Sequence, residues 1–500
     1  MMKELQELNS LAAEIHDIET TLAVLDWDQQ VNMPRAGGLG RASQISMLSR
    51  MAHELFVSDR MGELLETLSG DSADLDPDSD DACLIRQFSK KYHKQKLVPT
   101  KYVEEFSGVT ARAHNEWEKA REESDFSIFQ PALQKIFDMR REYSNFFAPY
   151  DHIYDPLIDD FEPGVKTSEV IEVFKQLREK QVDLIQRISD AKQVDDSFLH
   201  QAFDDKKQYE MGVKAVTACG FDWSRGRQDR AAHPFTTTFN LNDVRITTRI
   251  LPGYLISGLA STMHEGGHAI YEQGVSPTLD RSPLGTGASL AIHESQSRFW
   301  ENLVGRSNAF WEYFYPTVRE MFPSELGGVS LDKFYRGVNK VEPSFIRVEA
   351  DEATYNLHIM LRLELEIAVL EGRIEVKDLP QVWNEKMHEY LGITPDCDAN
   401  GVLQDVHWST GILGYFPTYA LGNLLSAQLK ERMDQDLGDI YGYVVKGEFT
   451  PLRVWLNEHI HRHGAKFDPG VIIKRVTDGG IESGPYLRYL ETKYSGVYSL

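Results

Sequence analysis

A chain of 500 residues with 41% apolar residues is long enough to bury a large core, and its formal net charge of −24 argues against a nucleic-acid-binding surface, because such a surface would repel phosphates. The three cysteines, Cys83, Cys219 and Cys397, are far apart and form no CxxC pair, so neither a disulfide framework nor a cysteine metal site is predicted. The N-terminal residues lack the apolar core of a signal peptide, and no apolar run is long enough to span a membrane. We therefore expect a cytoplasmic protein without nucleic-acid or membrane partners.

Helical periodicity dominates the chain. Apolar residues recur every three or four positions over residues 5–22, over 103–117 after Pro99-Thr100, and over 170–188 after Thr167-Ser168, which predicts three long amphipathic helices. The acidic stretch from Ser69 to Asp81 predicts an exposed loop. Because no repeat of fixed period and no long linker interrupts the pattern, we predict one helical domain over residues 1–500.

One segment departs from this pattern. Residues 233–250, HPFTTTFNLNDVRITTRI, are rich in Thr, Phe, Val and Ile around an Asn-Leu-Asn-Asp turn, which is typical of a β-hairpin. An edge strand of this hairpin could bind an extended peptide by backbone hydrogen bonds. The alternative is a structural hairpin that closes a helical domain, and the sequence favours neither.

The sequence His264-Glu265-Gly266-Gly267-His268 carries the clearest chemical signal. In a helix, His264 and His268 stand one turn apart on one face and can bind one metal ion, while Glu265 is offset and can take a proton from water. The two glycines reduce helicity but are expected to leave the groove side of the helix free of bulk. The motif therefore predicts metal-assisted hydrolysis; the alternative is an ordinary helix that happens to carry two histidines.

A catalytic zinc usually keeps three protein ligands and one open position. The next candidates are His293 and Glu294, in a second predicted helix, and adjacent helical residues point about 100° apart, so only one of them would coordinate. We favour Glu294, because a carboxylate on a separate helix is the commoner complement to HExxH. His293 would then contact a metal ligand without binding the metal, contribute to the substrate groove, or pack in the protein without a functional role.

A resemblance extends over nearly the whole chain. The motifs that carry it are WDQQVNMP (27–34), YDPLIDDFEPG (154–164), HPF (233–235), Asp243-x-Arg245-x-Thr247, HEGGHAIYEQG (264–274), HESQ (293–296), IRxxAD (346–351), GVLQDVHW (401–408) and GYFPTYALGN (414–423). With these motifs the chain resembles the carboxypeptidase Taq family of zinc metallocarboxypeptidases.

The resemblance implies a mainly α-helical, two-lobed body around a deep groove, with a small β-hairpin or sheet beside the HExxH helix. The HExxH and HES helices, within residues 255–305, would form the groove floor. The resemblance also implies a homodimer and one Zn²⁺ per chain, with Co²⁺ as an alternative metal. His264, His268 and Glu294 would be the metal ligands and Glu265 the general base.

A carboxypeptidase must also recognise a free α-carboxylate, which a planar guanidinium binds well. Arg347 is our first candidate and Arg245 the second. The alternative for Arg347 is an intrahelical ion pair with Asp351 at i+4. His233 and Arg245, in the hairpin, are expected to wall one end of the groove and orient the peptide, while Asp243 could simply cap the turn.

Hydrogen-bond donors are needed where negative charge develops on the substrate carbonyl oxygen. His407 with Tyr419 or Tyr415 suits this role, although an aromatic segment such as GYFPTY is otherwise typical of packing. A second histidine pair, His459 and His463, has metal-ligand spacing, but no third ligand or base follows it. We expect these two histidines to be structural.

The resulting hypothesis is a zinc metallocarboxypeptidase of broad specificity that releases single C-terminal amino acids from peptides. Two alternatives remain at this stage. The same apparatus could serve an oligopeptidase that cuts internal bonds, or the chain could be an inactive helical binding protein that retains the motif.

Overall fold

A computed structural model describes residues 2–71 and 75–500 of the chain. The described chain is mainly helical and divides into two compact units, each assembled from three stretches. The first unit comprises residues 1–96, 196–338 and 429–478, and the second comprises 97–195, 339–428 and 479–500. The mainly helical fold with a small sheet is thus confirmed. The single-domain organisation, and the role of residues 255–305 as a groove floor, stay predictions.

The helices and strands follow one another along the chain. The α-helices are α1 (Met2–Val31), α2 (Gly38–Phe56), α3 (Asp59–Asp71), α4 (Asp80–Leu97), α5 (Thr100–Glu123), α6 (Phe126–Asn145), α7 (Asp155–Ile158), α8 (Thr167–Asp190), α9 (Asp205–Cys219), α10 (Ile256–Gly274), α11 (Leu290–Arg298), α12 (Asn308–Met321), α13 (Pro323–Leu326), α14 (Leu331–Val338), α15 (Tyr355–Leu370), α16 (Leu379–Leu391), α17 (Pro417–Leu437), α18 (Tyr441–Val444), α19 (Thr450–His459), α20 (Pro469–Thr477) and α21 (Gly484–Tyr498). The strands are β1 (Gly226–Arg230), β2 (Thr236–Asn240) and β3 (Asp243–Thr248). No helix among the described residues is long and apolar enough to cross a membrane.

The three helices predicted from periodicity are confirmed as α1, α5 and α8. In α5, however, Val103 is 49% exposed and Tyr102 is buried in its place, so the apolar face begins one residue earlier than predicted. The predicted loop at 69–81 is too long, because α3 continues to Asp71 and α4 begins at Asp80. Residues 72–74 of that stretch lie outside the described part of the chain.

The predicted hairpin is confirmed as β2 and β3, which pair antiparallel across the turn at Leu241-Asn242. The sheet contains a third strand that the sequence did not indicate, because β1, GRQDR, has no apolar alternation. Strand β1 pairs parallel with β3, which makes β3 the central strand. A Cβ at Gly226 would come within 2.5 Å of the Val244 carbonyl oxygen, so glycine is what lets β1 approach β3 at this point.

Two helices of the first unit carry the HExxH and HES sequences. Helix α10 is buried over most of its length, and the sheet packs beside it. Helix α11 is short and runs directly into a π-helical segment, Phe299–Val304, whose wider turn is a frequent feature of functional sites. Trp300 in this segment is fully buried against Phe299 and Phe449, so the segment that follows the HES helix packs in an aromatic cluster.

Candidate metal site and substrate-binding residues

The first unit brings three potential metal ligands together. His264 and His268 lie one turn apart on α10, with ring centroids separated by 4.9 Å. Glu294, on α11, places its Oε2 3.6 Å from His264 Nε2 and 3.5 Å from His268 Nε2. Two imidazole nitrogens and one carboxylate oxygen therefore face a common point, each within 4.8 Å of the others. This donor set could hold a metal ion, and it is the set that catalytic zinc accepts.

Gly266 and Gly267 allow the neighbouring helices to approach α10. A Cβ at Gly267 would lie 2.6 Å from the Gln296 carbonyl oxygen on α11, and a Cβ at Gly266 would lie 2.2 Å from Val216 on α9. The expectation that these glycines keep a groove side free of bulk is therefore wrong. They are packing residues, and Gly267 sets the distance from the two histidines to Glu294.

Each candidate histidine ligand is oriented through its Nδ1. His264 Nδ1 lies 2.9 Å from Glu301 Oε2, in the π-helical segment, and a carboxylate can only accept a proton there. His268 Nδ1 lies 2.7 Å from His293 Nδ1, and His293 Nε2 lies 2.7 Å from Glu272 Oε1. The Glu272 carboxylate can only accept, so His293 Nε2 donates to it, and in the neutral tautomer His293 then accepts from His268 through Nδ1. Burial opposes protonation of His264, but the charge of Glu294 and the hydrogen bond to Glu301 raise its pKa to about 9. In their neutral forms, both candidate ligand histidines keep a lone pair on Nε2.

Glu272 is held as a carboxylate behind this chain of hydrogen bonds. Its Oε1 also accepts from Thr286 Oγ1 and from the Gly287 backbone N–H, both at 3.1 Å. Burial alone would raise the pKa of Glu272, but the hydrogen bond from His293, together with these two donors, lowers it below the ordinary value. A supporting contact to a metal ligand was one of the three roles that the sequence suggested for His293. The sequence did not predict Glu272 or Glu301 as residues that orient the candidate ligands.

Glu294 is fixed by two neighbours on its own helix. Arg298 Nε donates to Glu294 Oε1 at 2.6 Å, and the Ser297 hydroxyl donates to Oε2 at 3.0 Å. Burial opposes ionisation of Glu294, but Arg298 and His264 hold the pKa of this carboxyl well below its usual range. Glu294 is thus an ionised oxygen donor, as metal coordination requires.

Glu265 lies between the two histidines in sequence and is 6% exposed. The Thr236 hydroxyl, on β2, lies 2.7 Å from Glu265 Oε2 and 3.0 Å from the Glu265 carbonyl oxygen. Burial raises the pKa of Glu265 above its ordinary value, which suits a group that must both accept and return a proton. Thr236 follows the HPF motif directly, but its contact with Glu265 was not predicted.

The hairpin holds Arg245 in an ion pair of its own. Its Nε and Nη2 donate to the two oxygens of Asp243 at 2.8 Å each, and its guanidinium lies over the rings of Trp27 and Phe239 at 4.4 and 4.7 Å. Asp243 is therefore the counter-ion of Arg245 and not simply a turn cap. The turn is instead closed by Asn240, whose side chain accepts from the Asn242 N–H.

His233 lies in an exposed loop whose two ends are fixed to β3. The Ala231 N–H bonds Thr248, and Phe235 exchanges hydrogen bonds with Thr247 through both backbone and side chain. His233 itself forms no hydrogen bond with any other described residue. The Thr of the DxRxT sequence thus anchors the HPF segment.

The second unit holds Arg347 in a buried charge cluster. Its Nε and Nη2 donate to Asp405 Oδ1 at 3.0 and 2.9 Å, and its Nη1 donates to the Tyr355 hydroxyl at 2.9 Å. Asp405 also accepts from Arg362 Nε at 2.6 Å, so two arginines share one carboxylate. The alternative ion pair with Asp351 is not formed, because residues 347–349 make a 3₁₀ turn and Asp351 accepts from nearby backbone N–H groups.

His407 and the two candidate tyrosines also come together in the second unit. His407 Nε2 lies 3.4 Å from the Tyr419 hydroxyl, and the ring of His407 lies 5.3 Å from that of Tyr415. Burial, followed by the charges of Arg347 and Arg362, lowers the pKa of His407 to about 4 in spite of Asp405. His407 is therefore neutral near pH 7.

The second histidine pair forms no metal site. His459 Nδ1 lies 2.8 Å from the Trp455 carbonyl oxygen, and His461, between the pair in sequence, bonds Gln296. Across residues 2–71 and 75–500, the single cluster of His, Cys, Asp and Glu able to hold a metal is His264, His268 and Glu294.

Comparison with known proteins gives one consistent family. A sequence model described as carboxypeptidase Taq (M32) metallopeptidase matches residues 7–494. The chain is 42% identical over 486 residues to thermostable carboxypeptidase 1 of Thermus thermophilus, covering 95% of each protein, and 39% identical over 496 residues to carboxypeptidase 1 of Bacillus subtilis, covering 99% of each. Among solved structures, the M32 carboxypeptidase from Deinococcus radiodurans R1 superposes with a TM-score of 0.97 at 37% identity over 100% of both chains. The Pyrococcus furiosus carboxypeptidase gives a TM-score of 0.94 at 35% identity, covering 98% of this chain and 99% of that one.

Proposed function

Since the chain belongs to the carboxypeptidase Taq (M32) metallopeptidase family and is a metallocarboxypeptidase, we propose that it releases single amino acids from peptide C-termini with a zinc ion bound by His264, His268 and Glu294. The observation that carries this proposal is the convergence of two Nε2 atoms and one ionised carboxylate oxygen. The set supplies three ligands and leaves one position open, as in catalytic zinc sites. A bound zinc ion would lower the pKa of a water molecule and polarise the scissile carbonyl.

Glu265 is the proposed general base. Its carboxylate takes a proton from the attacking water and passes it to the leaving amine. Two observations support this role: the side chain is buried, and the Thr236 hydroxyl contacts only one of its oxygens, Oε2. Oε1 of Glu265 remains available to the water.

Arg347 is the proposed receptor for the terminal carboxylate, and charge balance favours it over Arg245. Arg347 and Arg362 share Asp405, which leaves their cluster with one net positive charge. Arg245 is fully neutralised by its two-point pair with Asp243, so we assign it to shaping the hairpin. Binding of the anionic C-terminal carboxylate of a peptide requires a group with a net positive charge.

His407 and Tyr419 are the proposed donors to the substrate carbonyl oxygen, and Tyr415 and His233 the proposed substrate contacts. The support for His407 is that it stays neutral near pH 7, so it can donate one N–H without adding a charge. The support for His233 is that it lies exposed on a loop fixed to β3 at both ends. Because both of its ends are fixed, such a loop can form one side of the peptide-binding site and keep its position when a peptide binds.

We further propose that the enzyme acts on peptides of varied sequence in the cytoplasm as a homodimer, and that Co²⁺ can replace Zn²⁺. The three widely spaced cysteines, which form no CxxC pair, support a reducing compartment. Light scattering on the purified protein measures the dimer directly, and a monomer mass at micromolar concentration would contradict it.

The experiment that tests the function compares peptides that end in a free acid with the same peptides ending in an amide. We expect single-residue release from the free-acid peptide and little release from the amide. The release should not depend on a free peptide N-terminus. Equal cleavage of the amide would support an oligopeptidase instead. In parallel, Glu265→Gln should retain its zinc and lose nearly all hydrolysis. An active Glu265→Gln variant would exclude Glu265 as the base, and a metal-free native protein would favour an inactive binding protein.

A further inference from the structure

A cavity of about 470 Å³ lies within the second unit, where α8, α15 and α16 face one another. Each helix contributes residues at helical spacing: Phe174 and Arg178 from α8, Leu363 and Ile367 from α15, and Lys386 from α16. The cavity opens to solvent, and its volume falls in the range of small-molecule sites, about 300–1,000 Å³.

One wall of the cavity is apolar. The side chains of Phe174, Met360, Leu363 and Ile367 line it and are each less than 5% exposed. Ile171, at the rim, is 43% exposed, so this apolar surface continues outward. A ligand with an apolar body would remove that surface from water.

The polar part of the lining places two cations around one carboxylate. Glu364 accepts hydrogen bonds from Arg178, Lys386 and the Tyr390 hydroxyl. Arg178 uses only its Nη1 for Glu364 and for Tyr390, the latter at 2.7 Å. Its Nε and Nη2 therefore have no acceptor among the described residues. The Nε and Nη2 edge of a guanidinium can bind a carboxylate through two parallel hydrogen bonds, and in Arg178 this edge is open.

The charges around the cavity also favour an anion. Four cations line it, Lys175, Arg178, Arg373 and Lys386, against two carboxylates, Glu364 and Glu389. Arg373 has a further partner in Glu371, outside the lining. Lys175 has no ion-pair partner in the described parts of the chain. A surplus of positive charge at this place contrasts with the net charge of −24 of the whole chain.

We propose that this cavity binds a small monocarboxylate with an apolar body, whose carboxylate lies on the Nε and Nη2 edge of Arg178. The apolar body lies along Phe174, Leu363 and Ile367. The site is independent of the proposed metal centre, since none of its residues belongs to the metal-binding set or to the proposed substrate contacts.

Isothermal titration with decanoate below its micelle concentration tests the proposal on the full-length protein. A saturable one-to-one isotherm is expected, whereas decanol, which has the tail alone, and acetate, which has the carboxylate alone, should bind at least about tenfold more weakly. Arg178→Gln should weaken decanoate binding about 10- to 100-fold, the value of a charge-assisted contact. Arg187→Gln is the matched control, because it lies on the same helix and pairs with Glu491 away from the cavity.

Three results would overturn the proposal. If Arg178→Gln binds decanoate with unchanged affinity, the ligand lies elsewhere. If His264→Ala loses decanoate binding while Arg178→Gln retains it, the ligand lies at the metal site. Equal affinity for decanol would show that no carboxylate receptor exists. Circular dichroism of each variant shows whether it is folded. Ala368→Phe is a second test of the proposal, since the larger side chain fills the cavity and leaves Arg178 unchanged.

Discussion

The hydroxyl of Thr236 lies 2.7 Å from Glu265 Oε2, which joins the β-hairpin to the residue that we propose as general base. Thr236→Val removes this donor without changing the size of the side chain. A hydrogen bond to a charged group contributes about 1.5–3 kcal/mol, so we expect kcat to fall about 10- to 100-fold. Zinc content should not change, because Thr236 contacts none of the proposed ligands. The next residue on the strand, Thr237, forms no side-chain hydrogen bond with any residue that the structure describes, so Thr237→Val should keep full activity. Equal losses in the two variants would indicate damage to the sheet.

Glu272 should control metal affinity although it is not a proposed ligand. Its Oε1 bonds His293 Nε2 at 2.7 Å, and His293 in turn bonds His268. Glu272→Gln keeps the shape but removes the charge that fixes the tautomers along this chain. We expect zinc affinity to fall about 10-fold or more, measured by competition with a chromophoric chelator. Glu312→Gln, at an exposed position that contacts Asn308, is the control. Unchanged zinc affinity in Glu272→Gln would mean that His293 needs no carboxylate partner.

The two arginine candidates can be separated by their effects on KM. Arg347→Lys replaces a planar guanidinium with a single ammonium group, and the two-point contact with a carboxylate is lost. We expect KM for free-acid peptides to rise about 10- to 100-fold with a smaller change in kcat. Arg245→Lys should alter KM much less, because Arg245 is already paired with Asp243. A larger KM effect from Arg245→Lys would reverse the assignment.

Gly267 should be intolerant of a methyl group. The added Cβ would meet backbone atoms of Gln296 and Ser297 at 2.6 Å, and backbone cannot move aside as a flexible side chain can. We expect Gly267→Ala to lower the free energy of unfolding by about 1–3 kcal/mol and to reduce zinc binding, because α11 carries Glu294. Gly40, in α2, has open space at the same position, and Gly40→Ala should be neutral or stabilising. Thermal melts with and without zinc measure both effects.

The local patterns in the sequence were sufficient for the chemistry at the centre of the site. Two histidines at i and i+4 and a carboxylate offset between them follow from helical geometry, and the hairpin follows from its turn and its alternation. Spacing alone did not choose between His293 and Glu294, and the choice of Glu294 came from the commoner ligand set and the resemblance. The resemblance supplied the fold and the family, which the comparisons confirm.

The groups that orient the site depend on distances that no local pattern encodes. Asp405 is 58 residues from Arg347, and the spacing of Arg347 and Asp351 suggested a helical pair that the 3₁₀ turn prevents. Glu301 reaches His264 from a π-helical turn, which sequence periodicity does not predict. The β1 strand was missed because its composition is polar and its pairing with β3 is a tertiary contact.

Glu366 provides a prediction on pH dependence that is independent of the metal site. Its side chain is fully buried in α15 and accepts from the Tyr154 hydroxyl at 2.5 Å, from Trp408 Nε1 at 2.8 Å and from the Gly414 N–H at 3.1 Å. Burial is the largest influence and raises its pKa from 4.5 to about 7, although all three donors favour the ionised form.

A raised pKa in the folded state means that the folded protein holds the proton more tightly than the unfolded chain does. The contribution of Glu366 to stability is therefore full below pH 4.5 and is lost as pH rises towards about 7, by roughly 3 kcal/mol in total. Glu366→Gln cannot titrate, so the difference in unfolding free energy between the native protein and this variant should shrink by most of that amount between pH 5 and 8. Denaturant melts at each pH measure it, and Glu385→Gln, at an exposed position in α16, should show no such trend. If the difference grows with pH instead, the three hydrogen-bond donors outweigh burial, and Glu366 is an ionised anchor for the loops that carry His407 and Tyr415.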